Sequence, residues 1–463
     1  MKLGDAAFLV TEKPTRGSQV SMLTRWSLPP DAKDDFLTKL VDRWRNCRDF
    51  AEPFNLRLKA GLVPAWETLR SDQIDLDYHF RHSALPKPGG ERELGVLASQ
   101  LHSTPLDRHR PLWEMHVIEG LENDEFAIFL KLHHAQIDGM GAIQLLERVL
   151  SPRPEARDMP AFWEVAPKDS APGSSRWFRL PKPSDLRRIS EVGSLTKAVF
   201  DLQTSRDRDN ASAFDAPKTV FNQRLQAPRR IATQCFEVKR MSRLAKKAGV
   251  SMNDVALSIS ASALRTYLIE HSELPDKSLT AGVPVSMREN DDVGNAISFI
   301  IAKLHTDIAD PLDRLHAIHH STTLAKERYK KLPSRETREA FGTLIMAPYF
   351  GQVALNLSDR AAPVFNLIIS NVPGPPDFLY LEGARMEVFY PISAVLDGQA
   401  LNITFLSYAG RYGVGFTSCR EAVPHMQRIA VATGEALDEL EHALEQRTAT
   451  PNGPVKPLGQ AAT

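Results

Sequence analysis

The sequence predicts two α+β domains with mixed sheets and a cleft between them. Three observations carry this expectation. The chain has 463 residues, more than one hydrophobic core usually serves. Strand-like and helix-like stretches are interleaved in both halves without a regular βαβα alternation. A run rich in Pro, Gly and Ser, from Ser151 to about Ser175, separates the halves. The expected division is a first domain over residues 1–170, a crossover over 171–220, a second domain over 221–450 and a disordered tail over 451–463.

Composition narrows the class. Hydrophobic residues make up 42% and charged residues 25%, as in ordinary globular proteins. The 57 basic and 57 acidic residues cancel, so no nucleic-acid partner is expected. Cys47, Cys235 and Cys419 are too scattered for a disulfide framework or a zinc site. No apolar run reaches the ~20 residues of a spanning helix, and no signal region opens the chain. The expectation is a cytoplasmic protein.

In order, Gln19 to Leu28 reads as a strand, and Pro29-Pro30-Asp31 opens a helix with Phe36, Leu37, Leu40, Val41 and Trp44 on one face. Arg81 to Arg92, broken by Pro86, Pro88, Gly89 and Gly90, reads as a loop before a short helix, Glu93 to Ser103. A polar turn, Thr104 to Pro111, enters the strand Trp113 to Ile118. A hairpin loop then leads to the strand Phe126 to Leu132. Met140, Ile143, Leu146, Val149 and Leu150 recur at helical spacing, so a helix starts near Gly139.

In the second half, Arg176 to about Arg206 reads as a helical crossover. Arg230 to Val238 is a strand and Ser242 to Lys247 a short helix. Ser251 and Asp254 fit a capping box ahead of the helix Val255 to Ile269. Leu279 to Ser286, Ala296 to Leu304 and Val364 to Ser370 read as strands. Leu312 to Lys331 is an amphipathic helix, and Phe341 to Leu357 is apolar. Leu401 to Tyr408 and Tyr412 to Ser418 form a hairpin, and a last helix spans Pro424 to about Gln446.

The strongest chemical signal is His133-His134-Ala135-Gln136-Ile137-Asp138-Gly139, at a strand-to-helix junction. If strand alternation continues through the pair, His134 shares a face with Phe126, Ile128, Leu130 and Leu132 while His133 points away. Several readings stand side by side. The histidines could be satisfied by backbone groups around a capped turn. His134 and Asp138 could bind a metal, but adjacent alternating side chains chelate poorly and no third ligand is near in sequence. Gly139-Met140-Gly141 resembles a dinucleotide loop, but Gln144 replaces the third glycine. In a catalytic reading, a neutral imidazole takes a proton from a hydroxyl attacking an activated acyl group and returns it to the leaving group. No G-x-S-x-G elbow is present, in agreement with direct transfer. Asp138 would then hold the turn and Gly139 would let the chain bend.

The heptapeptide is similar to the HHxxxDG signature of the CoA-dependent acyltransferase superfamily. Pro105-Leu106-Asp107-Arg108-His109-Arg110-Pro111-Leu112-Trp113-Glu114 resembles the PLDRxRPLWE block of bacterial wax ester synthase/diacylglycerol acyltransferases. Asn253-Asp254-Val255, Pro284 to Arg288, Gly294-Asn295, Ser370 to Pro375 and Ala400 to Thr404 resemble that family's later blocks, in order. The resemblance covers nearly the whole chain. It implies two chloramphenicol acetyltransferase-like domains enclosing an active-site tunnel. It implies transfer of a long-chain acyl group from fatty acyl-CoA to a long-chain alcohol or diacylglycerol. Acyl-CoA is then a substrate, and no cofactor or metal is needed. His134 is implied as the general base, His133 as a supporting residue and Asp138 as structural, with Arg288 as its candidate ion-pair partner. Asn253 is the first candidate for the oxyanion donor, beside its alternative as a helix cap. Asn371 is next, beside its alternative in a Pro-Gly turn. Gly139 is also placed with the substrate.

Two long chains must meet at one histidine, so an apolar tunnel is expected, with Gly351 and Ala354 leaving room in Gly342 to Leu357. Ordinary helical core is the competing reading of that stretch. Contact with the inner membrane or a lipid body through Arg176-Trp177-Phe178-Arg179, Arg187 and Arg188 is a further expectation, beside a solvated crossover. His316, His319 and His320 lie at helical spacing and read as a helix face, not a metal site.

Overall fold

The computed structural model describes residues 9, 12, 13, 15, 17–59, 61, 64–137, 139–167, 189–205, 207–286 and 297–449. The described strands are β1 (Gln19–Ser27), β2 (Leu56–Leu58), β3 (Trp66–Thr68), β4 (Phe80–Ala84), β5 (Trp113–Glu119), β6 (Glu125–His133), β7 (Arg229–Glu237), β8 (Thr280–Ser286), β9 (Ile297–Lys303), β10 (Leu367–Pro373), β11 (Tyr380–Leu381), β12 (Ala384–Ile392), β13 (Leu401–Tyr408) and β14 (Arg411–Cys419). The helices that position the site are α1 (Phe36–Asn46), α2 (Leu76–His79), α3 (Glu91–Ser103), α4 (Gly139–Val149), α5 (Ile189–Thr204), α6 (Val238–Ala248), α7 (Met252–Glu270), α8 (Pro311–Lys330), α9 (Arg335–Ala354) and α10 (Gln427–Ala449).

Two six-stranded sheets organise the chain, in the orders β11-β12-β1-β6-β5-β4 and β7-β14-β13-β10-β8-β9. Both are mixed. The first is antiparallel except for the β4–β5 pair, and the second contains parallel pairs on both sides of β10. The predicted two-part α+β architecture with mixed sheets is therefore the one observed.

β6 is the central strand of the first sheet, paired antiparallel with β1 and β5. Its side chains alternate as a pleated strand requires. Phe126, Ile128, Leu130 and Leu132 join one core with Trp44 of α1 and Ile143 of α4. Ala127 and Phe129 join the opposite core with Leu94 and Ala98 of α3. With both faces covered, a slip of one residue would invert every buried side chain, so the register is tightly specified.

Three sequence expectations need correction. Arg81 to Arg92 is not all loop: β4 runs parallel to β5, and its five residues are too short and polar to stand out beside Pro86 and Pro88. A contiguous second domain over 221–450 does not describe the sheets either. β12 pairs with β1 from Ser21↔Ile392 to Ser27↔Arg385, so a strand from the second half sits inside the first sheet. Linear order carries no trace of such an exchange. β6, finally, ends at His133, so His134 lies in a turn and not on the strand. Of the expected crossover, 171–188 lie outside the described residues, and with them Arg176-Trp177-Phe178-Arg179, Arg187 and Arg188; so does the tail, and 189–204 form α5.

The units are joined closely. A Cβ added at Gly415 would lie 1.7 Å from the Pro391 carbonyl oxygen, and one at Gly413 1.9 Å from that of Phe389. β14 thus approaches β12 at backbone distance, which only glycine permits. The outer edge of β7 is also covered. The Ser99 and Ser103 hydroxyls of α3 accept from the Ile231 and Arg229 N–H groups at 3.0 and 2.8 Å. Gly415→Ala is expected to cost about 1–3 kcal/mol, because backbone must shift to admit the methyl group. A denaturation midpoint equal to wild type would show slack between the sheets.

Candidate active site

The junction after β6 is built by anchoring its neighbours. The His133 N–H donates to the Leu112 carbonyl at 3.1 Å and the His134 N–H to that of Ser18 at 3.0 Å. The His133 carbonyl then accepts from the Gln136 N–H at 2.9 Å, which turns the chain. Ala135 is buried, and the Gln136 amide donates to the Pro53 and Leu56 carbonyls at 3.3 and 3.2 Å. His133 is 1% exposed, whereas His134 is half-buried. The turn therefore turns His133, Ala135 and Gln136 inward and leaves His134 partly accessible.

His133 has a defined protonation pattern. Its Nδ1 accepts the Ala135 N–H at 3.1 Å, so the neutral ring carries its proton on Nε2. Nε2 faces Glu12 Oε2 at 3.5 Å. The same carboxylate accepts from Arg108 Nη2 at 2.7 Å, from Arg108 Nε at 3.0 Å and from the Ser18 N–H at 3.1 Å. Burial works to raise the Glu12 pKa, but His133, Ser18 and Arg108 together hold it at about 2. Glu12 gives no periodic or motif signal, so the sequence did not single it out.

The second residue missed by the sequence reading is Lys131, which sits in an otherwise apolar run. Its Nζ lies 2.9 Å from Glu114 Oε2, with side-chain exposures of 0% and 4%. It also donates to the Leu101 and Thr104 carbonyls at 2.9 Å each, at the C-terminus of α3, where a cation meets the negative end of the helix dipole. Burial pulls the Lys131 pKa below its ordinary value, and Glu114 opposes this. The rest of the block before β5 is also architectural. Asp107 accepts the His109 N–H at 2.9 Å. Arg110 pairs with Asp75 at 2.8 Å and covers the Tyr78 ring at 4.1 Å. Trp113 stacks on His79 with ring centres 4.5 Å apart.

The remaining predicted residues are distributed. Asp138 and Arg288 lie outside the described residues, and with them the expected pair. Gly139 opens α4 with nothing within 4 Å of an added Cβ. Asn253 is the second residue of α7, and its amide nitrogen is shut from solvent without a hydrogen-bond partner. The predicted capping box is present beside it. Asp254 accepts from the Ser251 N–H at 3.0 Å, and also from His319 at 2.8 Å and Thr322 at 2.7 Å. Burial raises the Asp254 pKa, but these donors hold it below the carboxylate norm. Capping thus falls to Ser251 and Asp254, which leaves the Asn253 amide available as a donor. Asn371, on β10, accepts from the Tyr412 hydroxyl at 3.1 Å.

Gly351 and Ala354 belong to the last turn of α9, and Ala354 is exposed. A small cavity lies nearer the start of that helix, its lining including Leu202, Ile300, Arg328, Tyr329, Phe341 and Ile345. Of the helix face that carries three histidines, His320 Nδ1 lies 2.6 Å from Asp209. With Asp207 they form the one group of three such residues, among the described ones, whose ligand atoms all lie within 4.8 Å of one another.

The chain is similar to known proteins in sequence and in fold. The family model described as wax ester synthase/diacylglycerol acyltransferase catalytic domain matches residues 1–256, and that of the WS/DGAT C-terminal domain matches 293–441. An Acinetobacter baylyi protein named O-acyltransferase WSD is 38% identical, over 96% of this chain and 97% of its own. A Mycobacterium tuberculosis protein named as a diacylglycerol O-acyltransferase is 40% identical, over 95% of this chain and 96% of its own. The solved wax ester synthase/diacylglycerol acyltransferase of Marinobacter aquaeolei is similar with a TM-score of 0.77 and 34% identity, covering 96% of this chain and 100% of that one. A condensation domain of the calcium-dependent antibiotic synthetase shares the fold at 16% identity and a TM-score of 0.58, over 96% of each chain. With both family models matched across most of its length, the chain belongs to the wax ester synthase/diacylglycerol acyltransferase family, whose members are acyltransferases.

Proposed function

We propose that the protein is an O-acyltransferase that moves a long-chain acyl group from fatty acyl-CoA to a long-chain alcohol or a diacylglycerol, with His134 as general base. The observation that carries this reading is the turn after β6, where His134 stays partly accessible while His133, Ala135 and Gln136 are anchored inward. The neutral His134 ring takes the proton of the acceptor hydroxyl as its oxygen attacks the thioester carbonyl. The resulting tetrahedral oxyanion needs a donor, and the buried Asn253 amide is our candidate. The carbonyl re-forms as the C–S bond breaks, and the imidazolium returns its proton to the CoA thiolate. The products are an ester and free CoA.

The acceptors are lipids, so the reading includes contact with a lipid surface. No helix among the described residues is long and apolar enough to cross a membrane. Phe200, Leu344 and Leu355 are exposed apolar residues on or next to α5 and α9 that suit such contact. The test is CoA release by purified protein given palmitoyl-CoA with hexadecanol, or with dioleoylglycerol. Ester formation with either acceptor is the expected result and ranks the two. No ester with either one overturns the reading.

A further inference from the structure

We infer that Glu12 is a positioning residue for acyl transfer: its carboxylate, clamped by Arg108 and the Ser18 N–H, holds the His133 ring and through it the turn that presents His134. This rests on the proposed chemistry at His134.

Glu12 is far from the histidines in sequence but meets them at the end of β6. His133 Nδ1 is engaged by the Ala135 N–H, so only Nε2–H remains; Nε2 is shut from solvent, makes no hydrogen bond within normal geometry, and has Glu12 Oε2 beside it at 3.5 Å. At 3.5 Å this contact aligns charge with a polar N–H and falls short of a tight hydrogen bond. Arg108 donates two nitrogens to Glu12 Oε2 while the Ser18 N–H holds Oε1, so both carboxylate oxygens are tied. Glu12 itself is only 10% exposed on its side chain, so water competes little for these bonds. The ring cannot rotate without abandoning either the Ala135 N–H or the carboxylate. Ala135 follows His134 directly, so the ring of the first histidine sets the backbone on both sides of the second. A general base displaced by a fraction of an ångström loses alignment with the attacking hydroxyl.

The experiment compares wild type with Glu12→Ala, Glu12→Gln, His133→Ala and the double Glu12→Ala/His133→Ala, using palmitoyl-CoA and hexadecanol. Glu12→Ala is expected to lower kcat about tenfold to hundredfold with KM for acyl-CoA within about twofold. Glu12→Gln keeps one acceptor oxygen and should recover part of kcat. The double variant should be no slower than His133→Ala, because both substitutions cut one chain of contacts. A second readout is independent of turnover. The His133 Nε2–H should give a slowly exchanging ring-nitrogen resonance in wild type, lost in Glu12→Ala. If His134→Ala abolishes turnover while both Glu12 variants match wild type, the positioning role is wrong and the general-base assignment stands. Additive losses in the double variant, or an Nε2–H signal unchanged in Glu12→Ala, also overturn it. If wild type forms no ester, the proposed chemistry fails, and the resonance alone decides whether Glu12 holds the ring.

Discussion

His134→Ala is expected to lower turnover by about 10²–10⁴-fold, the usual contribution of a positioned acid–base group. The substitution removes the imidazole and keeps the backbone of the turn. The backbone bond from residue 134 to the Ser18 carbonyl survives, and the turn stays pinned by His133, Ala135 and Gln136. The melting profile should therefore stay close to wild type, which separates lost chemistry from lost fold. KM for acyl-CoA should change little, since the proton transfer belongs to the transition state and not to donor binding. His133→Ala makes a useful contrast. It deletes a side chain that is 1% exposed and accepts a turn N–H, so it should lower both stability and kcat. Turnover by His134→Ala within about twofold of wild type would remove His134 from the general-base role.

What the sequence made legible follows from how local each signal is. β6 and α4 were visible because apolar spacing switches from a strand run to a helical repeat across His133 to Gly139. The Ser251–Asp254 cap was visible because its residues lie three apart. The two sheets were foreseen as a class, but their membership was not. β12 reads as an ordinary strand of the second half, and only its pairing with β1 places it in the first sheet. The same limit applies at the site. Glu12 and His133 are joined by tertiary contact alone, and Lys131 looks like an interruption of an apolar strand until Glu114 and the end of α3 surround it. Room is a tertiary property for a related reason. Small residues at 351 and 354 suggested it, but Ala354 faces solvent at the end of α9, and Phe341 and Ile345, about two to four turns earlier, border a separate cavity. A small side chain creates space only where something else walls it in.

Lys131→Met should destabilise the protein by about 3–5 kcal/mol, the usual cost of removing one partner of a buried ion pair. Three losses coincide. Glu114 would keep a carboxylate in a site where it is 4% exposed on its side chain, with Arg81 3.9 Å away as its nearest remaining cation. The Leu101 and Thr104 carbonyls would lose their donor at the end of α3. The negative end of that helix would lose its compensating charge. Removing both charges tests this account. Lys131→Met/Glu114→Leu should be more stable than Lys131→Met alone, because no unpaired charge remains, yet less stable than wild type, because the carbonyls still lack a donor. The shift is read from the denaturant midpoint of the variants measured side by side. The consequence reaches the site because Lys131 lies two residues before His133 on the strand that fixes the register of the turn. A loss below about 1 kcal/mol for Lys131→Met would mean that water or a neighbouring group takes over the Glu114 charge. The apolar alternation of β6 alone would then hold the histidine turn in place.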